Sequence, residues 1–123
     1  MIDFQNGLIF KLKKTDSSAA QGAAPLFVDG ESVIGCYKAI RDYVVFTNKR
    51  IISVNVQGVT GKKKDYTSIP YSKVQVFSVE TSGVLDMDSE LELYISSVGK
   101  IKFEFTGASD IVRIGQIIGN YVL

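Results

Sequence analysis

The sequence contains no histidine and no tryptophan, and it has a single cysteine, Cys36, among 123 residues. Without histidine there is no imidazole for a general base, for a Ser-His or Cys-His nucleophile pair, or for a metal site that uses such ligands. One cysteine excludes an internal disulfide and a Cys-rich zinc site. We therefore expect a protein that is not an enzyme and that holds neither a metal nor a cofactor.

A charge excess and long apolar runs are also missing. The chain has 14 Lys and Arg against 13 Asp and Glu, and this near neutrality argues against a nucleic-acid partner. No apolar run approaches the ~20 residues that span a membrane, and the first fifteen residues lack the pattern of a secretion signal. A lone thiol suits the reducing cytosol, so we expect a cytoplasmic protein in which Cys36 is a small buried side chain.

The first 29 residues differ in composition from the rest. Phe4, Leu8, Ile9 and Leu12 recur at helical spacing, which predicts a short amphipathic helix over residues 4–12. Residues 15–25 are small and polar, with little apolar surface to offset the entropy lost on ordering, and this predicts a flexible linker. We therefore divide the chain into an N-terminal segment with its linker, 1–29, and a folded domain, 30–123. The amphipathic segment is a candidate docking arm for another protein.

From residue 26 onward the chain is rich in β-branched and aromatic residues, which favour strands. Alternation of apolar and polar residues places one face of a strand in the core. The pattern changes phase within 73–81, as a bulge would produce. The predicted strands are residues 32–39, 43–47, 50–56, 64–69, 73–81, 90–95 and 101–105.

The last residues change to a helical period. Ser109 or Asp110 can cap a helix start, and Gly115 and Gly119 would let the helix approach another element closely. The apolar stripe consists of Ile111, Ile114, Ile118, Tyr121 and Val122. Seven strands followed by a helix predict a half-open, bent barrel whose mouth the helix covers, because an open sheet would leave edges exposed.

Several short motifs occur in a fixed order. They are Arg41-Asp42, FTNKR at 46–50, GVTGKK at 58–63, SIPY at 68–71, FSVET at 77–81 and DMDSELEL at 86–93. This run resembles the bacterial pleckstrin-homology-like family over residues 30–123. The resemblance implies a mainly β fold, a seven-stranded bent antiparallel barrel capped by a C-terminal α-helix. It also implies ring-like homo-oligomers, so that the chain's first partner would be itself.

Basic residues gather near three predicted turns. In lipid-binding pleckstrin domains the first, third and sixth strand connections line one open end. The residues at the corresponding places are Lys38 and Arg41, then Lys62, Lys63 and Lys64, and finally Lys100. Converging ammonium and guanidinium groups suit a phosphate ligand or an anionic membrane surface. The alternative is a solvated surface that discourages edge-to-edge aggregation.

Charge is segregated along the chain. Residues 31–64 contain seven basic and two acidic residues, whereas residues 80–92 contain five acidic residues and no basic one. Opposite patches can meet head to tail, and a contact that closes gives a ring. The alternative is pairing between neighbouring strands of one molecule, worth ~0–1 kcal/mol per exposed pair. The candidate oligomer contacts are Asp86, Asp88, Glu90 and Glu92.

These patterns favour a binding or assembly module that forms a homo-oligomer. Binding of an anionic lipid or phosphate ligand through the basic turns is the alternative function. The carboxylates at 86, 88 and 90 lack the central glycine and the additional ligands of a calcium loop, so they do not change the expectation that no metal is bound.

Overall fold

The computed structural model describes residue 1 and residues 9–83, 88–107 and 110–123. These ranges contain eight strands and a C-terminal helix, so the predicted mainly β architecture is confirmed. The strands are β1 Ile9–Thr15, β2 Val33–Lys38, β3 Tyr43–Thr47, β4 Arg50–Gln57, β5 Lys63–Pro70, β6 Val76–Glu80, β7 Ser89–Ile95 and β8 Gly99–Phe105, and the helix is α1 Ile111–Val122. Two 3₁₀ segments, Ser17–Leu26 and Tyr71–Lys73, connect β1 to β2 and β5 to β6.

The eight strands form one sheet in the order β5-β4-β3-β2-β1-β8-β7-β6. Its two halves share a single inner core, in which Ile51 and Ile69 from one end join Leu91 and Phe103 from the other. A flat sheet could not bring these side chains together, so the sheet is bent and half-open as predicted. It has one strand more than the seven expected. It also has one parallel pair, because β1 is antiparallel to β2 and parallel to β8.

The helix predicted for residues 4–12 is wrong where the structure describes it, because Ile9–Thr15 is a strand. Ile9 lies opposite Phe103 and Leu12 opposite Phe105, so three steps along β1 match two along β8. Lys11, whose φ of 60° is left-handed, lies within this irregular stretch. A bulge of this kind gives a strand the apolar spacing of a helix. Phe4 and Leu8 lie outside the described residues. Ile9 and Leu12 are part of the sheet, so they are not available for the proposed docking arm.

The linker predicted for residues 15–25 is also wrong. Ser17–Leu26, which we call the cover segment, packs on the outer face of β2–β5 and buries Ala20 and Ala23. The sheet supplies most of the apolar surface, and the small side chains of the segment allow close approach. Cys36 lies under the cover segment and is 1% exposed, and burial raises the pKa of its thiol to about 11. The expectation that Cys36 is a small buried side chain is confirmed.

Helix α1 packs against β6 and β7 and covers the inner core on that side. Ile114 and Ile118 are buried, and a Cβ on Gly115 would lie 3.0 Å from Val79 Cγ2 on β6, which confirms the close approach predicted there. Asp110 precedes the helix but makes no capping hydrogen bond with its side chain. Its carboxylate forms an ion pair with Lys14 of β1 instead. The other proposed cap, Ser109, lies outside the described residues.

The predicted phase change within 73–81 has a different cause from the expected bulge. Val74 is buried at the end of the Tyr71–Lys73 segment, whereas Val76 begins β6 and is exposed. The side chains of Phe77 and Val79 then face the inner core. The change of phase therefore marks the boundary between a 3₁₀ turn and a strand.

Because the cover segment is packed on the sheet, a substitution at Gly22 should affect stability. A substitution of a glycine in a flexible linker would not. A Cβ at Gly22 would lie 2.8 Å from the Tyr43 hydroxyl oxygen. We expect Gly22→Ala to lower the free energy of unfolding by about 1–2 kcal/mol, measured by urea denaturation, because the overpacked site must shift. The loss should shrink in a Tyr43→Phe background, which removes the clashing oxygen.

Gly83→Ala provides the matched control, because nothing lies within 4 Å of a Cβ built at Gly83. Equal effects of the two alanine substitutions would contradict docking of the cover segment.

Candidate functional site

Strand direction places three turns at one end of the sheet. β2 and β4 run in the same direction, because both are antiparallel to β3. β7 also runs in this direction: β1 is antiparallel to β2, β8 is parallel to β1, and β7 is antiparallel to β8. The β2–β3 turn (39–42), the β4–β5 turn (58–62) and the β7–β8 hairpin (96–98) therefore lie at the same end. This end, which we call the basic end, carries the predicted residues Lys38, Arg41, Lys62, Lys63, Lys64 and Lys100.

Two of these turns are directly connected. The Arg41 guanidinium donates through Nη2 to the Gly58 carbonyl oxygen. The neighbouring Asp42 carboxylate accepts from the Val56 amide at 2.9 Å and from Asn55 Nδ2 at 3.2 Å. The structure thus joins Arg41 to the turn that contains Lys62 and leads into Lys63 and Lys64. Lys100 lies apart from this group, since it is on β8 and β1 separates β8 from β2.

Two aliphatic side chains project from the connected turns. Ile40 is 95% exposed and Val59 is 104% exposed, so neither contributes to the core. Sequence reasoning missed both residues as functional candidates. The available signal was an apolar residue at the corner of each turn, with lysine or arginine within three positions on the same turn.

The outer face of β6, β7 and β8 is acidic. Glu80, Glu90 and Glu104 lie directly opposite one another across the three strands. In the next row Ser78, Glu92 and Lys102 are aligned, and beyond it Val76, Tyr94 and Lys100. We call these nine outward residues the acidic face; it contains four carboxylates and two ammonium groups. The two apolar side chains of the third row are accessible, with Val76 60% and Tyr94 44% exposed.

Part of this charge is paired within the molecule. Lys102 Nζ lies 3.2 Å from a Glu90 carboxylate oxygen and 3.8 Å from one of Glu92. The hydrogen bond to Glu90 raises the pKa of Lys102, and the negative charge of Glu90 is the second largest cause of the increase. Pairing between neighbouring strands therefore occurs at two of the four candidate oligomer contacts. Asp88 lies just before β7, and Asp86 lies outside the described residues.

Arg50 forms a buried ion pair that the sequence did not reveal. Its Nη2 and Nε lie 2.8 and 2.9 Å from the two carboxylate oxygens of Glu31, whose side chain is fully buried. Arg50 also donates to the Leu26 carbonyl oxygen at the end of the cover segment, at 2.7 Å, and to Ser68 Oγ. Both charges are therefore used inside the molecule, and they fasten the cover segment to the sheet.

The environment of Glu31 favours its charged form. Burial alone raises the pKa of Glu31, but hydrogen bonds from Arg50, Thr47 and the Val28 amide, together with the Arg50 charge, outweigh it. The pKa of Glu31 therefore lies below its usual value. The ionised carboxylate is part of the folded structure.

A small cavity lies between β2 and α1. It has a volume of about 80 Å³, with Tyr37, Phe46 and Ile114 among its apolar walls and Arg113 at its rim. Substrate pockets are several times larger, so the cavity has room for water but not for a drug-sized ligand. Within the described ranges, no three carboxylate or thiol side chains are placed to hold a metal ion.

The fold and sequence have clear relatives. Residues 3–122 match the family model of the bacterial PH domain, and the chain belongs to this family. It is 45% identical over 94 residues to the uncharacterized protein YjqA of Bacillus subtilis (strain 168), covering 76% of this chain and 75% of that protein. The resemblance inferred from the motifs is thereby confirmed.

Solved structures agree. A DUF1696 family protein with a pleckstrin-homology domain from Shewanella loihica PV-4 has a TM-score of 0.79 and 40% identity, covering 93% of this chain and 99% of that one. A pleckstrin homology domain from Shewanella amazonensis SB2B has a TM-score of 0.66 and 42% identity, covering 87% of each chain. Of the helices in the described residues, none is long and apolar enough to cross a membrane.

The Glu31–Arg50 pair predicts a specific dependence of stability on pH. Because the folded-state pKa of Glu31 is below the usual 4.5, the pair stabilises the fold above that pH and loses its effect as the pH falls through the folded value. We expect Glu31→Gln to lower the free energy of unfolding at pH 7 by about 2–3 kcal/mol, since Arg50 loses its partner. Urea denaturation between neutral and acidic pH should show a flatter profile for the variant.

Asp29→Asn is the control, because Asp29 is exposed and lies two residues away. A Glu31→Gln protein as stable as the parent at pH 7 would contradict this account.

Proposed function

We propose that the chain is a non-enzymatic binding module of the cytoplasm that assembles with copies of itself. In this proposal the acidic face of one copy contacts the basic start of β5 in the next. The directly opposed Glu80 and Glu90 carry the argument, because like charges opposite each other in a sheet destabilise it. Lys102 offsets part of that cost at Glu90, and a cationic neighbour would offset more of it.

The positions of the two surfaces favour a head-to-tail contact. The acidic face extends to the edge strand β6, whereas Lys63 and Lys64 lie on the other edge strand, β5. A contact between different surfaces of identical chains is heterologous, and a ring forms if the rotation closes. Exposed Val76 and Tyr94, in the third row of the acidic face, add apolar area to such an interface. Ring-like homo-oligomers are also what the family resemblance implies.

Charge reversal tests the assembly. At low salt we expect light scattering to give a multiple of the 13.5 kDa chain mass, and we expect the mass to fall as salt screens the charges. Ser78→Lys/Glu80→Lys and Lys63→Glu/Lys64→Glu should each reduce the mass towards that of one copy. A mixture of the two variants should regain the larger mass, because each then offers the charge that the other lacks.

Lys49→Glu, on the β3–β4 turn, makes a comparable change away from both surfaces and should leave the mass unchanged. A single-copy mass for the parent protein at low salt would refute the proposal. So would an assembly whose mass neither reversal alters.

A further inference from the structure

The Tyr37 hydroxyl faces the cavity between β2 and α1 without a protein partner. The Tyr37 ring is held by edge-on contacts with Phe46 and Phe105, whose ring centroids lie 5.6 and 5.0 Å away, and the residue is 4% exposed. Its oxygen makes no hydrogen bond with any residue that the structure describes. Any side-chain oxygen in these ranges that is sealed from solvent does have a partner, so the Tyr37 oxygen is reached through the cavity that its side chain lines. A ligand in the cavity can therefore supply the missing partner.

Gly35 leaves space beside this hydroxyl. Residues two apart on a strand share a face, so Gly35 and Tyr37 both face inward from β2. A Cβ built at Gly35 would lie 3.6 Å from Tyr37 Cε2 and 4.0 Å from its hydroxyl oxygen, which are ordinary contact distances. The cavity therefore extends into space that a side chain at position 35 would fill. Its volume of about 80 Å³ is roughly five times the minimum that one water molecule needs.

The polar rim of the cavity has an excess of hydrogen-bond donors. Lys14 and Asp110 form an ion pair with each other, whereas Arg113, in the first turn of α1, forms no ion pair with the described residues. The positive end of the helix dipole lies at the same turn. Burial raises the pKa of Tyr37 to about 12, and the Asp110 charge adds to the increase. The Tyr37 hydroxyl is therefore protonated at neutral pH and donates a hydrogen bond.

We propose that the cavity binds a short aliphatic carboxylate, whose oxygens accept from the Arg113 guanidinium and the Tyr37 hydroxyl. A carboxylate is the planar anion that a guanidinium binds best, through charge-assisted hydrogen bonds. Phe46 and Ile114 on the cavity wall suit an aliphatic tail, which an inorganic anion lacks. The volume limits that tail to a few carbon atoms.

This site is separate from the basic end. β8 begins at the basic end and runs away from it to Phe105, and the first turn of α1 follows that far end. A carboxylate held here would therefore not contact the lysines of the β4–β5 turn.

A titration of the full chain with acids of increasing length tests the proposal. Formate, acetate, propionate, butyrate and hexanoate are added at constant pH and ionic strength, and amide signals are followed by nitrogen–proton correlation NMR. We expect shifts centred on Gly35 and Arg113, with affinities on the order of millimolar for ligands of so few atoms. Each methylene that fits should tighten binding by up to about fourfold. Hexanoate should bind more weakly than the best of the shorter acids, because its tail exceeds the cavity.

Three variants identify the groups that bind propionate. Arg113→Gln should weaken binding by about tenfold and Tyr37→Phe by about fivefold, because each removes one donor. Gly35→Ala should weaken it by at least about tenfold without lowering stability to urea, since its methyl group fills part of the cavity.

Matched controls make the same chemical changes elsewhere. Tyr121→Phe removes the hydroxyl of an exposed tyrosine on α1, and Lys62→Gln removes a cation at the basic end. Both variants should bind propionate like the parent protein.

Three results would overturn the proposal. The first is the absence of shifts at Gly35 and Arg113 with every acid. The second is an affinity that does not change with tail length, since adsorption would then be purely electrostatic. The third is binding that Lys62→Gln weakens and Arg113→Gln does not. Self-assembly is measured independently, because the Tyr37 and Arg113 substitutions leave both charged assembly surfaces intact.

Discussion

Burial of the central strands on both faces is the constraint on which the rest of the structure depends. Val44 and Val45 are adjacent in β3, so their side chains point to opposite faces, and both are completely buried. A hydrophobic core on one side of the sheet cannot bury both side chains. The inner face packs with α1 and the far strands, and the outer face needs the cover segment. Arg50 secures that second layer through the Leu26 carbonyl oxygen and Glu31.

This arrangement decides which parts of the molecule remain available for binding. β3 and β4 present no free face, and the Glu31–Arg50 pair is used internally. The polar surface concentrates elsewhere, on the outward side of β6–β8 and around the turns at the basic end. The strands of the packed sheet support both surfaces from behind. The bridging Gly58 carbonyl oxygen similarly fixes two turns relative to each other.

Local periodicity explains what the sequence could predict. β3, the β7–β8 hairpin and α1 each have a regular pattern that one side of the core requires, and each lies where expected. The cover segment could not be identified this way, because the burial of Ala20 and Ala23 depends on strands further along the chain. A signal did exist in the uninterrupted apolar runs VVF at 44–46 and II at 51–52, which are typical of strands covered on both faces.

The candidate sites were harder to predict than the strands. Lysine-bearing turns were recognised, but the exposure of Ile40 and Val59 follows from turn geometry, which composition does not specify. The 19-residue separation between Glu31 and Arg50 likewise hides their contact, since opposite charges occur throughout the chain. β1 was missed because a bulge altered its apolar spacing.

The position of β1 also has a consequence for how the chain acquires its structure. Leu12 and its neighbour Phe105 are separated by most of the polypeptide, yet β1 is the strand that joins the two halves of the sheet. The β2–β5 meander can form from contacts close in sequence, whereas the join requires a loop to close over more than ninety residues. Such distant pairing slows folding. On the ribosome, β1 would emerge long before β8 and would therefore be among the last strands to find its place.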